Sequence, residues 1–178
     1  FVSLHRIFHP ETLCGVGAST RHMVLDKPAQ GLCTMPSKSI VIASDHAGYE
    51  LKETLKQELS EMGFEVLDLG TDSQESVDYP DFGHAAAEAI VSGRAERGVI
   101  VCGTGIGISI AANRHPGVRA ALCHDAELAK LSREHNDANL LAMGGRTTEV
   151  DVARACLKSF LETPYEGGRH DRRIAKLA

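Results

Sequence analysis

A chain of 178 residues with 43% hydrophobic side chains holds enough apolar material for one domain with a sizeable core. Aromatic residues are only 4% and Trp is absent, so the core must rest on Val, Ile, Leu and Ala, which suits α/β architecture. A net charge of −5 without an extended basic run argues against nucleic acid as the main partner, and no apolar stretch is long enough to span a membrane.

The five cysteines are Cys14, Cys33, Cys102, Cys123 and Cys156, with no Cys-x-x-Cys pair among them. Odd in number and widely spaced, they suggest neither a disulfide framework nor a zinc knuckle, and a reducing cytoplasm is the simplest compartment. Residues 1–37 lack clear periodicity and mix His, Pro and Gly at a slightly positive charge. They are expected to be an irregular N-terminal extension outside the fold. Met35-Pro36 looks like a natural start; a targeting segment is the alternative, though the apolar run of a secretory signal is missing.

Regular patterning begins with the domain expected over 38–178. Residues 39–44 (SIVIAS) form a β-branched strand. Leu51, Leu55, Leu59 and Met62 recur at helical spacing, and Gly63 ends that helix. Residues 64–69 alternate as a strand, and 80–91 form an Ala-rich helix. A strand at 99–101 precedes a helix at 106–113; a strand at 118–123 precedes a helix at 126–134; a strand at 139–143 precedes a helix at 150–161. The tail predicts one more helix over 169–177. Alternating strands and helices on short links give a three-layer αβα sandwich around a five-stranded parallel sheet, Rossmann- or flavodoxin-like. A flavodoxin order of 2-1-3-4-5 puts strand 1 beside strand 3, where ligands bind outside the carboxyl ends.

Two polar strand ends would then face one crevice: Asp45-His46-Ala47-Gly48 and Cys102-Gly103-Thr104-Gly105. The second opens a loop with glycines at 103, 105 and 107, which lets backbone N–H groups crowd around a small anion. The spacing is neither the dinucleotide fingerprint nor a P-loop, so a compact ligand fits better than a nucleotide. Taken alone, Cys102 would be an inert strand cysteine. Beside those donors it becomes a candidate proton-transfer group, since neighbouring N–H groups favour the thiolate. Asp45 and His46 are as readily a helix cap and a solvated ring as they are ligands. His135 ends a helix, where a histidine often only complements the dipole. Arg169 and Arg173, four apart, would share one helix face and could clamp a phosphate, or simply be a solvated basic end; Arg146 is equally ambiguous. Cys123-His124-Asp125 points in three directions and carries little weight. His84, His115 and His170 have no supporting context, and Cys156 reads as core.

Taken together, SDHAG at 44–48, DYP at 78–80, CGTGIGIS at 102–109, SREHNDAN at 132–139 and YEGGRH at 165–170 resemble type B ribose-5-phosphate isomerases of the sugar-phosphate isomerase family. The resemblance spans about 38–178 in order and leaves 1–37 without a counterpart. It implies interconversion of ribose 5-phosphate and ribulose 5-phosphate through an enediolate, in the non-oxidative pentose phosphate pathway, without metal or organic cofactor. By that pattern Cys102 is the base, His135 opens the sugar ring, and the backbone from Gly103 through Gly105 and Ile106 to Gly107 holds the enediolate with help from the Thr104 hydroxyl. Asp45 contacts sugar oxygens and Tyr79 lines the pocket. Asn136 lies near the sugar, and His46, Arg146, Arg169 and Arg173 surround the phosphate. Galactose 6-phosphate or allose 6-phosphate are the alternative substrates. A flavodoxin-like binding module, with no catalytic role for Cys102, is the alternative class.

Because His135 follows a helix, it should lie at the amino-terminal side of the strands, away from the crevice. A homodimer, with a tetramer as the larger alternative, would share the site by bringing the partner subunit's His135 to Cys102.

Overall fold

The computed structural model describes residues 39–177, so the expected extension at 1–37 lies outside the described residues. Five parallel strands run β1 (Ser39–Ser44), β2 (Glu65–Asp68), β3 (Arg97–Cys102), β4 (Ala120–Leu122) and β5 (Leu140–Gly144). The helices are α1 (Tyr49–Glu61), α2 (Tyr79–Val91), α3 (Ile106–Ala112), α4 (Ala126–Asn136), α5 (Val150–Glu162) and α6 (Asp171–Ile174). Successive strand residues face opposite sides, and both sides are covered. Ile40, Ile42, Val99, Val101, Leu141 and Met143 pack under α1, α4 and α5, where Leu55, Leu157 and Phe160 are fully buried. Val41, Ala43, Ile100, Leu140 and Ala142 face α2 and α3, whose small residues Ala86, Ala87, Ala89 and Ala112 let these helices lie close to the sheet.

The expected three-layer sandwich is therefore present, but the last two strands are exchanged. The order is β2-β1-β3-β5-β4, not 2-1-3-4-5. Burial gives the reason. Every residue of β5 is buried, whereas β4 has three residues, none of them buried, and Leu122 is 40% exposed. The more apolar strand takes the interior, and the short one closes the edge. The tail is also corrected. Gly167 and Gly168 both adopt positive φ, and residues 168–174 form a 3-10 turn, Gly168–His170, followed by the single turn α6 instead of one long helix.

The root of the β2–α2 loop is held by a buried cation. The Lys52 side chain is only 2% exposed, with Nζ at 2.8 Å from Asp68 Oδ2 and 2.7 Å from Glu53 Oε1. Lys56 Nζ reaches the same Asp68 oxygen at 2.7 Å. Asp68 Oδ1 accepts the Gly70 N–H at 3.0 Å. Burial by itself would raise the Asp68 carboxyl, but the Lys52, Lys56 and Gly70 hydrogen bonds outweigh it and hold the group below the usual carboxylate range. The stability this contributes is whole above the unfolded group's value of about 3.9 and is lost as pH falls through the lower folded value. Asp68→Asn should cost about 2 kcal/mol at pH 7 by leaving Lys52 with one partner. It should also flatten the loss of stability below about pH 4, measured by urea unfolding at pH 7 and at acid pH; an unchanged acid slope would refute the assignment.

Candidate active site

The carboxyl ends of β1, β3 and β5 lie side by side, and each opens into a loop that touches the next. The Asp45 N–H donates to Val101 O at 3.3 Å, the Gly145 N–H to Cys102 O at 2.8 Å, and the Arg146 N–H to Gly103 O at 3.1 Å. These bonds carry the sheet ladder past its strands and frame an open cavity of about 420 Å³. Its walls include Asp45, His46, Tyr79, Cys102, Gly103, Thr104, Ile106, Gly107 and Arg146, all foreseen as site residues.

Cys102 is the last residue of β3, 4% exposed, and its Sγ accepts the Gly105 N–H at 3.2 Å. That bond needs the loop to fold back within three residues, which Gly105 permits at φ +77°. A Cβ on Gly105 would come within 2.8 Å of the Met143 backbone. So Gly105 shapes the loop from behind without lining the cavity. Burial pushes the thiols of Cys123 and Cys156 up to about 11, leaving them inert. Asp45 does cap a turn, since Oδ1 accepts the N–H groups of Ala47 and Gly48, each at 3.0 Å. Both bonds fall on Oδ1, so Oδ2 stands outside the cap. The Tyr79 ring, at the start of α2, lies against Gly107.

His135, Asn136, Arg169 and Arg173 are absent from that cavity. His135 and Asn136 form the last turn of α4, just before β5 begins at Leu140. In the β3–β5 register Leu140 pairs with Gly98 and Gly144 with Cys102, which separates the two ends by about 13 Å along the strands. The His135 ring stacks on His170, centroids 4.5 Å apart and planes 11° from parallel. His170 is buried and accepts a hydrogen bond from Arg169 Nε at 3.3 Å. Desolvation, then His135, Arg169 and Arg173, hold its imidazole below the usual range. Arg169 touches His170 and Arg173 acts on it only through its charge; the two arginines do not share a helix, since Arg169 lies in the 3-10 turn and Arg173 in α6. His135, Glu166 and His170 offer ligand atoms within 4.8 Å of one another, with the positive charges of Arg169 and Arg173 close by. The stack was not readable from the sequence, and neither was the His84–His115 contact of 2.8 Å between ring nitrogens.

A thiol at a donor-rich strand end, in the cavity of an αβα sandwich, is an arrangement suited to proton transfer on a small ligand. The ribose/galactose isomerase family matches residues 40–177, and the chain belongs to that family. It is 44% identical to ribose-5-phosphate isomerase B of Escherichia coli over 137 residues, which is 77% of this chain and 92% of that protein. Galactose-6-phosphate isomerase subunit LacB of Clostridium acetobutylicum is 40% identical over 137 residues, 77% of this chain and 79% of that one. The structure of Clostridium thermocellum ribose-5-phosphate isomerase B superposes with a TM-score of 0.77 at 51% identity, covering 78% of this chain and 94% of that chain.

Within the loop, neighbouring glycines should differ in tolerance. A Cβ on Gly103 meets nothing closer than 3.6 Å, whereas Gly105 combines a left-handed backbone with a backbone clash. Gly105→Ala should lose about 2 kcal/mol or more and most of its isomerase activity, while Gly103→Ala keeps its urea midpoint. Equal midpoints for the two variants would contradict this reading of the loop.

Proposed function

We propose that the chain interconverts ribose 5-phosphate and ribulose 5-phosphate, as part of the non-oxidative pentose phosphate pathway. The observation that carries this is the Cys102 Sγ at the cavity wall with the Gly105 N–H bonded to it at 3.2 Å. In this reading Cys102 acts as the base in its thiolate form. In the open-chain aldose, the thiolate takes the proton from C2 and the electron pair moves onto the carbonyl, giving an enediolate. The Cys102 thiol then returns the proton to C1, and a proton passes between the two oxygens to leave the ketose. Backbone N–H groups of residues 103–107 and the Thr104 hydroxyl hold the developing charge. Asp45 takes sugar hydroxyls, while His46 and Arg146 take phosphate oxygens. A thiol base requires a reducing compartment, which the cytoplasm supplies.

The ring-opening group is His135 of the partner subunit in a homodimer, with Asn136, Arg169 and Arg173 arriving beside it to complete the sugar and phosphate contacts. Supporting this is the separation of the His135 cluster from the Cys102 cavity, which leaves each chain with half of the needed groups. A six-carbon sugar phosphate is the second reading, supported by the LacB relative.

Cys102→Ala should abolish turnover of ribose 5-phosphate while still binding it; unchanged turnover would sink the base assignment. Galactose 6-phosphate in the same assay separates the two substrate readings. Co-refolding equal amounts of Cys102→Ala and His135→Asn chains should restore about a quarter of the parent's activity, because half the dimers are mixed and each carries one intact site. Two inactive variants that stay inactive when mixed would refute the shared site.

A further inference from the structure

One contact at the cavity wall comes from a segment that the reaction scheme does not use. The backbone N–H of Val77 donates to His46 Nδ1 at 3.2 Å, across 31 residues of sequence. A backbone N–H can only donate to a ring nitrogen that carries a lone pair, so Nδ1 is the unprotonated nitrogen and Nε2 carries the hydrogen. His46 lines the Cys102 cavity on one side and a second cavity of about 270 Å³ with Glu50, Gln74 and Arg146 on the other. Its remaining nitrogen is therefore a donor at the rim of the site.

The segment that delivers Val77 is held along its length. Asp68 and its two lysines grip the root at Gly70. The Thr71 N–H donates to Ser44 O at 3.0 Å, tying the segment to the residue before Asp45. Gln74 Nε2 donates to Glu50 Oε1 at 2.8 Å, tying it to α1. At the far end it enters α2 at Tyr79, which lines the same cavity.

We propose that residues 70–78 act as a strap whose Val77 N–H fixes His46 as its Nε2–H tautomer, so that His46 serves as a hydrogen-bond donor to a phosphate oxygen and takes no part as a proton acceptor. Val77 is thus a positioning residue, acting through His46. The assignment of the acceptor to a sugar phosphate rests on the isomerase reading above; the tautomer does not.

The decisive measurement is the pair of imidazole nitrogen shifts of His46 in the full, uniformly labelled chain under mildly alkaline conditions, read by long-range nitrogen–proton correlation. The expected result is an unprotonated Nδ1 and a protonated Nε2, with the preference lost in Val77→Pro, which cannot donate. A protonated Nδ1 in the parent chain, or a folded Val77→Pro with the same shifts, would overturn the proposal. Should Val77→Pro fail to fold, a second pair of variants decides. The Gln amide nitrogen reaches toward the Nε2 position and the Asn amide does not. His46→Asn should therefore raise KM for ribose 5-phosphate roughly tenfold more than His46→Gln does, with kcat moving little in either. Equal KM values, or a loss confined to kcat, would count against a donor role. A parent chain that shows the expected tautomer yet does not turn over ribose 5-phosphate would refute the substrate and leave the strap standing.

Discussion

The structure depends on the close approach of three strand-end loops. Three neighbouring strands, β1, β3 and β5, end at the same level, and a backbone hydrogen bond joins each loop to its neighbour. Such contact leaves no room for side chains at the crossing points. A Cβ on Gly145 would fall 2.6 Å from Ala47 O, far inside any real contact distance. Because the loops lock one another, the thiol, the aspartate and Arg146 are held by backbone geometry. Little ordering entropy then remains for a ligand to supply, which is the advantage of a preorganised site. The cost is intolerance: in such a frame a methyl group at the wrong glycine displaces two loops at once.

Much of this was readable in the chain. The apolar runs at 39–44, 99–101 and 139–143 mark buried parallel strands, and the polar residues after the first two mark the switch point. Their pairing into one crevice follows from strands 1 and 3 being adjacent, which held. The position of β5 was not readable. Residues 118–123 and 139–143 are both short and largely apolar, and only tertiary burial separates an edge from a centre. The consequence for the site is concrete. In the expected order, the loop beside Cys102 would have been Cys123-His124-Asp125. The observed order puts Gly144-Gly145-Arg146 there and sends His124 to the exposed edge, with Asp125 capping α4 through the Leu128 N–H. An arginine that spacing left ambiguous gains its place from a strand exchange that spacing cannot reveal.

The histidines show the same limit more sharply. His46 with Val77, His84 with His115, and His135 with His170 are joined across long stretches of sequence, so no local pattern reports them. The last pair also needs two local exceptions. Asp137 ends α4 in the left-handed region at φ +45°, an uncommon place for a residue other than glycine. Its carboxylate bridges Arg119 and Arg133, both at 2.9 Å, which over-determines the turn. After α5 the chain returns along α4, the Glu166 N–H donating to Glu134 O at 3.2 Å, and the two positive-φ glycines then turn it so that His170 meets His135. A helix-period reading of the tail misses this because its weight comes from Arg169 and Arg173, not from the glycines before them.

The division of charge between the two ends bears on the proposed dimer. The Cys102 end offers a sulfur, a carboxylate, backbone donors and Arg146. The opposite end gathers His135, His170, Arg169 and Arg173. A sugar phosphate presents a reacting carbonyl at one end and a dianion at the other; in the proposed reading the Cys102 end meets the carbonyl and, through His46 and Arg146, part of the phosphate, and the opposite end adds the remaining positive charge. Beside the Cys102 cavity, the glycine loop and α3 expose apolar side chains. Ile106 and Ile110, one helical turn apart on α3, are 52% and 51% exposed, and Leu122 beside the loop is 40% exposed. Apolar residues at a cavity mouth favour being covered by another surface. A second copy seated there would bury them and exclude water from the enediolate. In the same step it would carry positive charge toward the phosphate end of the ligand, so the cover and the missing groups would arrive in one interface.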